Sequence, residues 1–373
     1  MSHIRWVAVI LMVAGCAPCP VCLPPAKPQP QPETARYEPR GFADLPGWSR
    51  AQLEPSLRAF MAGCARFKRV CEVARTLPPG DEQAARRFFE TEFVPYALVS
   101  SETGDTGLVT GYYEPIIDGS RTASTQFRFP IYGVPQDLIV VDLPETKQMR
   151  LRGRVEGRRL VPYYSRSEID ARGDALAAPI IAWSADPVEL FFLQIQGSGQ
   201  VRLETGERIR VGYADQNGHP YRSLGRYLVE RGEMVLEQAS MQGIKSWAAA
   251  NPQKLQEALG QNPSYVFFRE LPSADGPIGA LNIALHAERS LAVDRRFVPL
   301  GAAVYLATTM PLSEEPLERL MAAHDTGGAI RGVVRADFFW GTGAEAGALA
   351  GRMRQQARML LLWPIGEPPP RGD

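Results

Sequence analysis

Residues 324–341 read HDTGGAIRGVVRADFFWG and place two aspartates, Asp325 and Asp337, around a Gly-rich turn. In an extended segment, side chains alternate between faces, so Asp337 would share one with Val333, Arg335 and Phe339. Aspartate is depleted from strands and costs free energy when buried unpaired. Apolar neighbours raise a carboxyl's pKa by desolvation, which keeps it protonated near neutral pH, the state a general acid needs. Arg335 would act the other way if its guanidinium reaches. The plain alternative is a structural Asp337–Arg335 pair. Asp-Thr-Gly also occurs twice, at Asp105-Thr106-Gly107 and Asp325-Thr326-Gly327. Two such loops would let two carboxylates share a proton, as in aspartic proteases. The first copy, however, sits in the polar, turn-like SSETGDTGL.

Other residues suit a polar, uncharged ligand. In LQIQGSGQV, Gln194 and Gln196 are expected on one face of a strand that ends in Gly197-Ser198-Gly199, where amides and approachable backbone could hold a sugar. GYADQNGHPYRS places Tyr213, Asn217 and Tyr221 around a turn, and GYYEP supplies Tyr112 and Glu114, the latter a candidate assisting acid. A solvated strand face, a tight Asn-Gly turn and a core tyrosine are the ordinary readings of these stretches.

The elements that must position these groups are mainly β. Apolar positions at helical spacing predict helices over 51–74, 82–95, 223–260 and 344–362. Between them, LVTGYYEP, QFRFPIYG, DLIVVDL, APIIAWS, LFFLQIQGSGQVRL, RIRVGYAD and SYVFFREL read as strands. With 373 residues, 45% hydrophobic and 22% charged, the chain has room for two domains. Lys plus Arg and Asp plus Glu balance at 41 each, so no overall field favours nucleic acid.

The N-terminus carries an apolar run from Trp6 to Val13, too short to span a bilayer and laid out as an export signal over residues 1–15. Residues 16–40 are proline-rich and read as a semi-rigid tether. Export favours disulfides. Cys64 and Cys71 could pair only if the helix stops between them, since in one helix their Cα atoms would be roughly 10 Å apart; two unpaired thiols are the alternative. Cys19 and Cys22 have no assigned partners, and the Cys and His spacing does not suit zinc, so no metal or cofactor is expected.

Val13-Ala14-Gly15-Cys16 resembles a bacterial lipobox, which implies acylation of Cys16, and Ala17 after it implies the outer membrane of a Gram-negative cell. Further along, TGYYEP (110–115), LQIQGSGQV (193–201), GYADQNGHPYRSLGRYL (212–228), MQGIKSW (241–247), NPSYVFFRE (262–270), LAVDRRFVPLG (291–301) and HDTGGAIRGVVRADFFWG (324–341) together resemble the membrane-bound lytic murein transglycosylase A family. Its C-terminal 3D domain is named for three aspartates, which fall on Asp294, Asp325 and Asp337. The resemblance implies a double-psi β-barrel made of residues 41–113 and 226–373, interrupted by a small inserted β domain over 114–225. It implies a peptidoglycan lytic exotransglycosylase in the periplasm, lipid-anchored to the outer membrane, with cell-wall synthesis or division proteins as candidate partners. Asp337 would be the single catalytic acid and base, with Asp325, Asp294 and Arg335 in support. Thr110, Gly111, Tyr112, Gln194, Gln196, Gly197, Ser198 and Tyr213 would bind the glycan. The competing readings are an aspartic-protease-like enzyme and a murein-binding lipoprotein that does not cut.

Overall fold

The computed structural model describes residues 33–142, 150–272 and 276–368. The expected signal, Cys16, Cys19 and Cys22 lie outside the described residues. The chain begins with β1 (Ala35–Pro39), α1 (Glu54–Gly63), α2 (Lys68–Arg75), α3 (Glu82–Glu92), β2 (Phe93–Ser100) and β3 (Gly107–Glu114). Its middle runs through β4 (Ile116–Ser120), β5 (Phe129–Tyr132), β6 (Ile139–Asp142), β7 (Arg150–Glu156), β8 (Arg159–Pro162), α4 (Arg166–Arg172), β9 (Ile180–Ser184), α5 (Pro187–Gln196), β10 (Ser198–Leu203) and β11 (Arg208–Gln216). Three helices follow, α6 (Leu224–Glu230), α7 (Met241–Ala250) and α8 (Pro252–Gly260), then β12 (Val266–Leu271). The last part holds β13 (Ser290–Val293), β14 (Ala303–Thr309), β15 (Pro316–Asp325), β16 (Arg335–Thr342), α9 (Ala344–Ala350) and β17 (Arg354–Pro364). The fold is mainly β with flanking helices.

One eight-stranded sheet has the order β1-β2-β17-β14-β15-β13-β16-β3, and β3 also pairs back onto β17. The pairings β17-β14-β15-β13-β16-β3-β17 therefore close on themselves and leave no unpaired edge in that circuit. Its interior is filled by residues such as Val109, Leu291, Val304, Ala336, Phe338 and Leu361, all buried. A second sheet, β12-β11-β10-β4-β9-β5, has its own apolar core, including Ile117, Leu193, Val201 and Val211. Its last strand, β12, lies beyond the expected boundary at 225. A three-stranded sheet, β6-β7-β8, completes the set. Only Pro115 separates β3 from β4, so the chain leaves one sheet and enters the next within a single residue.

Four expectations change. The predicted 51–74 helix breaks after Gly63, and a short 3-10 turn over Cys64–Arg66 precedes α2. The break brings the Cα atoms of Cys64 and Cys71 to 5.4 Å, and the two cysteines form a disulfide. The predicted strand over LFFLQIQ is instead α5. Pro187 opens this helix, Asp186 Oδ1 accepts from the amides of Val188 and Glu189, and Gly197 closes it in the left-handed region at φ 77°. The predicted C-terminal helix ends at Ala350, and RQQARMLLLWP becomes β17 between β14 and β2. Short apolar runs satisfy helix and strand equally well, and here sheet partners decide. Finally, the tether gives way to ordered chain before residue 40, because β1 pairs with β2 and Glu33 accepts from the Ser100 hydroxyl.

Candidate active site

On β16, Ala336, Phe338 and Trp340 point into the main core, leaving Arg335, Asp337 and Phe339 on the other face. On β3, Val109 and Tyr113 point inward, leaving Thr110, Tyr112 and Glu114 beside them. The register joins these faces. Asp337 lies opposite Thr110 on β3 and Ala292 on β13, and Ala292 lies opposite Asp325 on β15. The two aspartates thus end up two strands apart, with Cα atoms roughly 10 Å apart at ordinary strand spacing.

Asp337 is partly buried and has few partners. The Thr110 hydroxyl donates to its Oδ1 at 2.7 Å and in turn accepts from the Arg335 guanidinium at 2.8 Å. Burial pushes the Asp337 carboxyl up to about 6; the Thr110 bond and the Arg335 charge pull it down, while Asp325 pushes it further up. Asp325 is held differently, since its Oδ1 accepts the backbone amides of Ala280 and Thr326, both at 2.9 Å. Burial still raises its pKa, and those amides and Tyr112 oppose the rise. Tyr112 packs on Phe339 with ring centroids 5.1 Å apart. Burial first, then the charges of Asp325 and Asp337, lift its pKa well above the ordinary value, so it stays a neutral phenol.

The third aspartate of the motif is structural. Asp294 is 1% exposed, grips the Arg296 guanidinium through both oxygens and accepts the amides of Gly332 at 3.0 Å and Arg296 at 3.2 Å. Burial alone would raise its pKa, but Arg296 and these amides outweigh it and hold the carboxylate low. It pins the turn that delivers β16. Glu114 is fully buried, with Arg210 at 2.9 Å, Gln200 at 2.8 Å and Thr342 at 2.9 Å. A carboxylate enclosed in this way cannot reach a substrate oxygen, so Glu114 is no assisting acid. The other Asp-Thr-Gly copy does not converge either. Asp105 is exposed, paired with Arg358 at 3.1 Å, and is not among the charges acting on Asp325 or Asp337.

Gln196 and Gln194 part company because they stand on a helix. Gln196 Oε1 accepts the Tyr113 amide at 3.4 Å, which ties the end of α5 to β3. Gln194 is buried and accepts from Arg166 at 2.5 Å, so it belongs to the interior of the second unit of structure. Gly197, Ser198 and Tyr213 gather at the join of α5, β10 and β11. Tyr213 is 44% exposed, and a Cβ on Gly197 would meet only the Cβ of Tyr213 at 4.0 Å. Gly111 does not face this space: a Cβ there would strike Trp340 Nε1 at 2.7 Å and Ala350 Cα at 2.8 Å, so glycine is needed for α9 to pack on β3. Asn217 is buried and bonds the carbonyls of Tyr164 and Pro263. Reasoning from sequence missed His324, fully buried with Nδ1 2.8 Å from the Ser290 hydroxyl; burial lowers its pKa to about 4. Among the described residues there is no group of three His, Cys, Asp or Glu placed to hold a metal.

A mainly β chain with one sparsely bonded, partly open aspartate on a strand of a closed sheet defines a class, and comparison narrows it. Residues 108–269 match the model of the MltA specific insert domain, and residues 289–363 match that of the 3D domain. The crystal structure of MltA from Neisseria gonorrhoeae is 42% identical, superposes with a TM-score of 0.83, and the match covers 91% of this chain and 95% of that one. MltA of Escherichia coli with bound chitohexaose is 28% identical with a TM-score of 0.67, over 88% and 94% of the two chains. The membrane-bound lytic murein transglycosylase A of Escherichia coli K12 is 35% identical over 263 residues, 68% of this chain. That stretch spans 64% of the length of this curated relative. The chain belongs to the MltA family.

Proposed function

We propose that the protein is a lytic transglycosylase that cuts the β-1,4 bond between N-acetylmuramic acid and N-acetylglucosamine in peptidoglycan. The observation that carries this reading is Asp337, whose partly open carboxyl, pushed up to about 6, has a single hydroxyl partner. Hydrolysing glycosidases usually work with two carboxylates, one protonating the leaving oxygen and one attacking or activating water. Here Asp294 and Glu114 are locked in ion pairs, and Asp325 is held in place by two backbone amides on its Oδ1. One free carboxyl suffices if the sugar supplies its own nucleophile. Asp337 donates its proton to the glycosidic oxygen as the C1–O bond breaks. As carboxylate it then takes the proton from the C6 hydroxyl while O6 bonds to C1. The product is a 1,6-anhydromuramoyl end, formed without consuming water.

Thr110 and Arg335 position that carboxyl and keep its pKa from climbing further, while Tyr112, a neutral phenol packed on Phe339, lies beside Asp325 and Asp337 and supports the floor under the sugar. Gln196, Gly197, Ser198 and Tyr213 line the facing side and bind hydroxyl and acetamido groups. The closed six-strand circuit is read as the double-psi barrel, and residues from β4 to β12 as the inserted unit. The chitohexaose held by the related Escherichia coli protein supports a groove for β-1,4 amino-sugar chains. Anchoring through an acylated Cys16 would hold the enzyme in the periplasm at the outer membrane. Incubating purified murein with Asp337→Asn tests the assignment. Release of soluble muropeptides should fall by roughly 10²–10⁴-fold or more, the scale of a lost general acid; substantial residual release would contradict it.

A further inference from the structure

A cavity of about 820 Å³ lies among β5, α4, β9, α5 and α8, and shares no residue with the site around Asp337. Its lining includes the apolar Phe129, Trp183 and Leu190 and charged groups of both signs, Arg128 beside β5, Asp170 on α4 and Glu257 on α8. Its floor is rigid. Arg166, 5% exposed, lies between the rings of Phe191 and Tyr265 at 4.8 and 4.9 Å and donates to Gln194 and to the carbonyls of Asn262 and Ser264. Nε and Nη2 are engaged there, and no ion pair to Asp170 is formed among the described residues. Asp170 accepts one bond, from Gln256 at 3.0 Å, and burial raises its pKa despite the charge of Arg166. The Arg128 guanidinium sits 5.4 Å from the Phe129 ring centroid. Among the described residues, no ion pair engages Arg128, Asp170 or Glu257, which leaves cavity-lining charges of both signs open to a ligand of complementary charge.

We propose that this cavity binds a short peptide bearing a side-chain ammonium group and a free terminal carboxylate, with the ammonium on Asp170 and Glu257 and the carboxylate on Arg128. The aliphatic part of the peptide lies against Trp183, Phe129 and Leu190. The volume is within the range of small-ligand pockets. On the function proposed above, and for the ligand's source alone, such a peptide is the stem carried by murein, whose diamino acid provides both charges. Helix α5 then links the two sites: Pro187 and Leu190 line the cavity, and Gln196 at its other end holds the Tyr113 amide beside the catalytic strand.

Calorimetric titration of the purified protein with N-acetyl-Ala-Glu-Lys, its side-chain-acetylated form and its C-terminal amide tests this. The free peptide should bind saturably at one site, and each capped form about tenfold or more weaker, as for the loss of one charge-assisted hydrogen bond. Asp170→Asn should abolish the discrimination against the acetylated form, and Arg128→Ala that against the amide; unchanged melting would show both variants folded. Asp337→Asn should bind the peptide unchanged, so the outcome is independent of whether murein is cut. Absence of saturable binding, or an affinity that neither caps nor substitutions move, overturns the proposal.

Discussion

Thr110 is placed to set the acidity of Asp337, because its hydroxyl accepts from Arg335 and donates to the aspartate. That bond lowers the Asp337 pKa, so Thr110→Val should move the alkaline limb of the pH–rate profile upward and slow turnover by about tenfold, the worth of one hydrogen bond to a charged group. With Asp337 as the lone acid near 6, the rate should fall along a single limb as pH rises through that value; a bell from two catalytic carboxylates would contradict the account. The same shift has a stability sign. A carboxyl with a raised folded pKa binds more protons folded than unfolded, so its contribution is lost as pH rises from the ordinary carboxylate range through about 6. Asp337→Asn should therefore melt higher than the parent protein at pH 7. His324 works in the other direction, since a base depressed to about 4 makes the fold lose stability as pH falls from 6.5 to 4, and His324→Gln should flatten that slope in a melting series. Asp337 was legible in the sequence because a carboxylate in an apolar strand breaks a local rule. Gly111 and Gln194 were not, because the direction a side chain points depends on an element and a packing partner that spacing alone does not specify.

At the scale of elements, runs with two patterns misled. LFFLQIQ and RMLLLW are apolar on nearly every residue, and the first became helix through its Asp186 cap while the second became strand through two sheet partners. The strands that carry the site, LVTGYYE and RADFFW, alternated clearly enough to be read. The break after Gly63 was legible only as a condition, that a bridge requires the helix to stop. Replacing both Cys64 and Cys71 by Ala should cost about 2–3 kcal/mol by the chain-entropy model for so short a loop, read as a lower denaturant midpoint. Glu114 joins β3 to β10, β11 and β16 through Gln200, Arg210 and Thr342, so Glu114→Gln should destabilise by about 3–5 kcal/mol, as for a broken buried ion pair. Equal stability with lost turnover would instead return Glu114 to catalysis.

Across the whole molecule, the closed circuit is built by pairings distant in sequence. Arg335 on β16 lies beside Leu108 on β3, and Leu360 on β17 lies beside Ala97 on β2. No local pattern specifies such partners, so strand propensity in the sequence reaches only the mainly β class. The long middle stretch from β4 to β12 brings Gln196 back to β3, so the chain is tied there both through Pro115 and by the Gln196–Tyr113 bond. The most direct test of the central claim is mass spectrometry of purified peptidoglycan after digestion by the protein. Muropeptides lighter by one water than their hydrolysed counterparts would show 1,6-anhydro ends and the single-carboxyl mechanism at Asp337. Fragments with hydrated reducing ends would contradict it, because they require an activated water and a second free carboxylate.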